Sequence, residues 1–174
     1  MNIDTMYQCM YGEVSDIRDH MPMLKHLSSL SDTVVEFGVR KGYSTIALLA
    51  GRPAYMASYD INPFEDYEKV KDIITDTEFR FIQKSDLTIQ IQPCDLLFID
   101  TVHTYEQLHA ELELHGNKAK SWIVMHDTHL FGQNGEDLLE GIWKAVTDFL
   151  DLNKCWNILF KTDICNGLTV LEKV

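Results

Sequence analysis

Two short runs in this chain each place an aspartate and a histidine directly after an apolar stretch. One is Asp100-Thr101-Val102-His103-Thr104-Tyr105 and the other is His126-Asp127-Thr128-His129. Carboxylate beside imidazole suits two kinds of chemistry, the holding of a divalent cation and the transfer of a proton. A third run, Glu36-Phe37-Gly38-Val39-Arg40-Lys41-Gly42-Tyr43-Ser44-Thr45, has two glycines that let the backbone pass close to a ligand. Its Gly38-x-x-x-Gly42 spacing departs from the G-x-G-x-x-G fingerprint. It is not a phosphate loop either, because no Lys-Ser or Lys-Thr follows Gly42. Glu36 closes an otherwise apolar segment and needs a partner to offset its desolvation; a cationic group on a ligand would serve. Asp60, 22 residues after Gly38, can accept bonds from ribose hydroxyls, or else cap the Asn62-Pro63 turn. Asp86, just after Ser85, could reach the exocyclic amine of an adenine. His20, His26, His109 and His115 have no such context, and the last two are expected on solvated helix faces.

These residues need elements to hold them, and the chain alternates accordingly. Strands are expected at residues 33–37, 54–59, 79–82, 96–99 and 122–125 from their apolar and β-branched runs. Between them fall a helix over 44–50 with Ser44 near its N-cap and a helix begun by Asn62-Pro63 and carried by Phe64, Tyr67, Val70 and Ile74. A further helix is opened by the Thr104-x-x-Gln107 capping box. Residues 132–135 read as an exposed loop, and Leu138, Ile142, Trp143, Val146, Phe149 and Leu150 mark an amphipathic helix. Residues 156–160 and 168–171, joined through Asn166-Gly167, read as an antiparallel pair. The expected architecture is α/β: a Rossmann-like, seven-stranded, mostly parallel sheet with a C-terminal antiparallel hairpin and helices on both faces. Residues 1–31 form a helical lead-in, and 1–174 form one domain. Ligands of such sheets bind beyond the carboxyl ends of the strands, where all the runs above lie.

The chain has 174 residues, 45% hydrophobic and 24% charged, the balance of a soluble globular protein. Fifteen basic side chains against 27 acidic give a net charge of −12, which argues against nucleic acid or an anionic membrane as partner. No apolar span or signal-like N-terminus is visible, so a cytoplasmic location is expected. Cys9, Cys94, Cys155 and Cys165 have no metal-type spacing and are expected to be reduced thiols.

The sequence resembles class I S-adenosylmethionine-dependent methyltransferases, in the small-molecule O-methyltransferase branch with macrolide-sugar methyltransferases and cephalosporin-hydroxylase-like proteins. The resemblance rests on Val35 to Thr45, on Asp95-Leu96-Leu97-Phe98-Ile99-Asp100-Thr101-Val102-His103-Thr104-Tyr105-Glu106, and on Ile123-Val124-Met125-His126-Asp127-Thr128. Gly141 to Val146 and Ser15 to Pro22 add to it. It implies that Glu36 and Gly38 hold the amino-acid end of S-adenosylmethionine, with Val39, Arg40, Gly42 and Ser44 in the same turn. It further implies that Asp60 takes the ribose, Asp86 the adenine side, and that Asp100 also borders the cofactor. Asp100 and Asp127, with His126, match positions for Mg2+ or Mn2+, although the family usually has an acid where His126 stands. His103 matches a general base for the acceptor hydroxyl and, as an ordinary histidine, would titrate near pH 6.5. The acceptor is a small molecule, a sugar among the candidates. No large lid is present, so the acceptor side is open or is completed by a second subunit. A nicotinamide-dependent oxidoreductase and a non-catalytic S-adenosylmethionine-binding protein are the alternatives.

Overall fold

The computed structural model describes the backbone of residues 1–174 and every side chain except that of Asp137. Seven strands form one sheet in the order β3-β2-β1-β4-β5-β7-β6. They are β1 Thr33–Phe37, β2 Tyr55–Asp60, β3 Glu78–Gln83, β4 Cys94–Ile99, β5 Ala119–His126, β6 Trp156–Thr162 and β7 Leu168–Lys173. β1 to β5 pair in parallel, and β7 runs antiparallel to both β5 and β6. The expected parallel sheet with a terminal hairpin is therefore present.

Leu96–Ile99 of β4 and Trp122–Met125 of β5 are apolar at every position because both faces of the sheet are covered there. Val34, Leu96 and Phe98 face a core shared with α1 (Ile3–Tyr11), α2 (Met21–Ser29), α3 (Tyr43–Leu49) and Val70 of α4 (Tyr67–Ile73). Val35, Leu97 and Ile99 face the other core, shared with α5 (Tyr105–His115) and α6 (Ile142–Leu152). Among the described residues, no helix is long and apolar enough to cross a membrane. All four cysteines are free thiols.

Several boundaries differ from the sequence reading, each for a local reason. Gly42, at φ 82°, occupies the N-cap of α3 in place of Ser44, whose hydroxyl instead donates to Glu36. The fourth helix starts at Tyr67, not at Asn62-Pro63, because Phe64 turns inward and becomes buried in the first core. Thr104 caps α5 by accepting from the Gln107 N–H, but the Gln107 side chain goes to Asp86 and Glu111, so only half of the capping box forms. Leu138 is 91% exposed and lies outside α6. Gly132 and Gly135 are buried at the ends of a loop expected to be exposed. His115 is wholly buried, against the expectation of a solvated helix face; its Nε2 bonds to the Asp86 carbonyl at 2.9 Å.

Gly38 is where the fold sets up the site. The Asp100 N–H donates to the Phe37 carbonyl, which brings the end of β4 against the turn after β1. Gly38 has φ 83°, and a Cβ there would stand 1.9 Å from the Asp100 carbonyl oxygen. Only glycine allows this approach.

Candidate active site

At the carboxyl ends of β1, β2 and β4 lies a cleft of about 300 Å³ lined by Gly38, Val39, Arg40, Asp60, Asp86 and Asp100, among others. The turn after β1 is tied down by Asp60. One carboxylate oxygen accepts from the N–H groups of Val39 (2.8 Å) and Arg40 (3.0 Å), and the other accepts from Asn62 N–H at 2.8 Å. A carboxylate offers about four lone-pair sites, so Asp60 keeps some capacity for a ligand. Both sequence readings of Asp60, ligand acceptor and turn cap, are thus compatible with one geometry. The Arg40 guanidinium is held by Asp16, at 2.8 Å. Asp86 is buried and accepts from Gln107 Nε2 at 3.2 Å.

Glu36, Gly42 and Ser44 stand behind the cleft, not in it. Glu36 is fully buried and accepts from the hydroxyls of Ser44 (2.6 Å), Thr45 (2.8 Å) and Ser58 (2.5 Å). Its partners are thus three hydroxyls from α3 and β2, where the sequence suggested a cationic ligand group. Burial pushes its carboxyl pKa up to about 7, against the lowering effect of those hydroxyls. An acid whose pKa is raised by folding favours the protonated folded form, so its contribution to stability is present at low pH and is lost as pH rises from about 4.5 to 7. Glu36→Gln is expected to remove this pH dependence, which amounts to roughly 3 kcal/mol across that range. Thermal melts of parent and variant between pH 4.5 and 8 would show it as converging curves at low pH; parallel curves would contradict it.

The second part of the site is an acid–imidazole cluster that shares Asp100 with the cleft. His103 Nε2 lies 3.2 Å from Asp100 Oδ1 and 2.9 Å from Asp127 Oδ2, while its Nδ1 lies 2.7 Å from Glu136 Oε1. Burial alone would lower the His103 pKa, but Asp100 and Asp127 outweigh it and hold the ring up to about 10. His103 therefore does not titrate as an ordinary histidine here. The same imidazole, together with His126, keeps the Asp127 carboxyl well below its usual range despite burial.

His126 is placed by a different group. Its Nε2 donates to the Cys165 carbonyl at 3.0 Å, which leaves Nδ1 facing Asp100 Oδ1 and Asp127 Oδ2, each at 3.4 Å. His20, without apparent context in the sequence, is 2% exposed and packs edge-on against His126, with its Nε2 within 3.2 Å of the same Cys165 carbonyl. Donor atoms of Asp100, His103 and Asp127 fall within 4.8 Å of one another; His126 is not among them. The buried Asp127 Oδ1 and His126 Nδ1 have no hydrogen-bond partner among the described residues. Two carboxylates, one of them with an orphaned oxygen, fit a divalent cation, while the Nε2 of His103 stays beside them for proton transfer. Sequence reasoning missed Glu136 and His20, and neither position carried a signal that could have found it.

A family model described as a methyltransferase domain matches residues 35–128, from the turn strand through the Asp127 cluster. The chain belongs to that methyltransferase domain family. Solved structures share the methyltransferase's fold. A Podospora anserina methyltransferase bound to SAH is 12% identical, with a TM-score of 0.66, over 99% of this chain and 87% of that one. A Bacillus cereus O-methyltransferase in complex with SAH is 16% identical, with a TM-score of 0.63, over 93% and 83%. A Burkholderia thailandensis 1,6-didemethyltoxoflavin-N1-methyltransferase, solved with 1,6-didemethyltoxoflavin and S-adenosylhomocysteine, is 10% identical, with a TM-score of 0.71, over 92% and 79%. No curated protein matches this sequence. The family match gives no support to the nicotinamide reading of Asp60.

Proposed function

We propose that this methyltransferase acts as a single domain over residues 1–174 and moves the methyl group of S-adenosylmethionine to a hydroxyl of a small molecule, a sugar among the candidates. A divalent cation, Mg2+ or Mn2+, would be held by Asp100 and Asp127. The observation that carries this reading is that Asp100 borders both the cleft and the acid–imidazole cluster. A methyl donor in the cleft and an acceptor at the cluster would then meet at one carboxylate.

The sulfonium of S-adenosylmethionine supplies an already electrophilic methyl group. The chain's own work is to align the acceptor and remove its proton. Gly38 admits the donor's amino-acid end to the turn that Glu36 and Ser44 brace from behind. Asp60 accepts from the ribose hydroxyls, and Asp86 lies on the adenine side. Asp100 and Asp127 would hold a cation whose charge would lower the pKa of a nearby hydroxyl. His103 takes the proton on Nε2. While the carboxylates have no other positive charge beside them, the ring keeps its proton; it becomes a base only when their charge is otherwise met. The net charge of −12 disfavours nucleic acid and anionic membranes as partners, and the acceptor side is open for a small molecule or a second subunit.

Calorimetry with SAH and NAD tests the donor site. SAH is expected to bind, and Asp60→Ala to weaken it by about 1–3 kcal/mol. A melting curve on the same variant separates this loss from slackening of the turn, since Asp60 holds both. Tight NAD binding with no response to SAH would sink the proposal. Incubation with S-adenosylmethionine, Mg2+ and a panel of catechols and monosaccharides should yield SAH. Donor binding without turnover on any of them would favour the non-catalytic reading.

A further inference from the structure

The loop between β5 and α6, residues 127–141, lies on the segment that carries His103. Glu136 Oε1 accepts twice from that one residue, from its backbone N–H at 3.1 Å and from its ring Nδ1–H at 2.7 Å. Glu136 returns its own N–H to the His103 carbonyl at 3.0 Å. Phe131, from the same loop, stacks flat on the imidazole, with centroids 4.7 Å apart and planes 7° apart. One loop thus fixes the backbone, the ring plane and the polarity of His103.

The backbone of this loop is shaped to do so. A Cβ on Gly135 would stand 2.5 Å from the His103 carbonyl oxygen, so the two segments touch without a side chain between them. Leu138 adopts φ 62° while 91% exposed. A left-handed leucine costs roughly 1–2 kcal/mol, and its side chain gains little from packing. The conformation is held instead by Gly135 N–H to Leu139 O (2.8 Å), Leu139 N–H to Glu136 O (3.1 Å) and Tyr105 N–H to Glu140 O (2.9 Å). These bonds surround Glu136 and present its carboxylate to His103. Strain retained beside a reactive group points to a function for the strained segment.

We propose that Glu136 is a positioning residue: it accepts the Nδ1–H of His103 and so leaves Nε2 as the nitrogen that faces Asp100, Asp127 and the acceptor hydroxyl. This rests on the reaction proposed above. The bond made by one ring nitrogen decides which face of a histidine does the chemistry. The Glu136 side chain is 41% exposed, so solvent screens its attraction. Its effect falls on the orientation of the ring and not on stability.

The test uses the full-length protein with 15N-labelled histidine, with and without Mg2+. In the parent, the His103 Nδ1–H is expected as a downfield proton resonance protected from solvent exchange. Glu136→Ala should lose it and Glu136→Asp should regain it. If the alanine variant fails to fold, Glu136→Gln, which retains the side chain's size without its charge, is expected to weaken that protection. With 3,4-dihydroxybenzoate as acceptor probe, Glu136→Ala should lower turnover about 10- to 100-fold with KM for S-adenosylmethionine unchanged. In a His103→Ala background it should cost nothing further, because it acts through that ring. A resonance that persists in Glu136→Ala, or an equal slowing in the two backgrounds, overturns the proposal. If the parent does not turn over this probe, that one acceptor is excluded, and the resonance alone decides the role of Glu136.

Discussion

His103→Ala is expected to lower turnover by about 10²- to 10⁴-fold, the usual range for a lost general base, while SAH affinity stays within about twofold. The two effects separate because His103 does not line the cleft, whereas Asp100 does. The ring stands between three carboxylates, with Nε2 on Asp100 and Asp127 and Nδ1 on Glu136. Its removal leaves Asp100 and Asp127 without the charge that now compensates them, so Mn2+ binding should be retained or strengthened. His109→Ala is the control, since His109 packs beside Tyr105 on the flank of α5, away from the cluster, and should change little. Steady-state kinetics and calorimetry on the two variants check this. A His103 variant within a few-fold of the parent would show that proton removal lies elsewhere. Loss of SAH binding together with activity would make His103 structural.

Asp127→Asn is expected to weaken Mn2+ binding by on the order of 100-fold or more, since even outer residues of metal sites cost 10- to 100-fold, and to lower turnover in parallel. Asp127 is 3% exposed, and its Oδ1 has no protein partner among the described residues. A buried carboxylate oxygen of that kind is costly unless something meets it. Asparagine keeps the shape and the left-handed backbone at φ 58° but removes the charge. Exhaustive chelation of the parent should reproduce the loss, and added Mn2+ should restore the parent but not the variant. Activity that survives chelation unchanged would show that the cluster works as acids and histidines alone.

The parts of this site that could be read in the sequence are those that sit where a strand ends. Leu96–Ile99 before Asp100 and Trp122–Met125 before His126-Asp127 are apolar at every position because the sheet is covered on both faces, so the polar residues that follow mark the edge of the core. Gly38 was legible as a close-approach position, read as an approach to a ligand; what it approaches in the fold is the Asp100 carbonyl at the end of the neighbouring strand. Glu136 was not legible. It reaches His103 from 33 residues away through a loop whose course depends on tertiary hydrogen bonds, and no spacing rule encodes that. His20 and His115 were missed because histidine is tolerated both in water and in the interior. Their burial is set by backbone carbonyls of Ile164, Cys165 and Asp86, which no side-chain pattern announces. Glu36 was correctly seen to need partners, but three hydroxyls supply them where a ligand cation was expected. Leu138 fitted the helical period and still fell outside α6, in a loop whose backbone is held by the Gly135–Leu139 and Leu139–Glu136 hydrogen bonds.

In the proposed reaction, donor cleft and cation cluster meet at Asp100. Titrating Mn2+ into the full-length protein bound to S-adenosylmethionine with a 13C-labelled methyl group tests this most directly. Strong paramagnetic broadening of the methyl resonance is expected at one equivalent of Mn2+, absent in an Asp100→Asn, Asp127→Asn double variant that still binds the donor. A donor that binds while its methyl resonance stays sharp at saturating Mn2+ would contradict it.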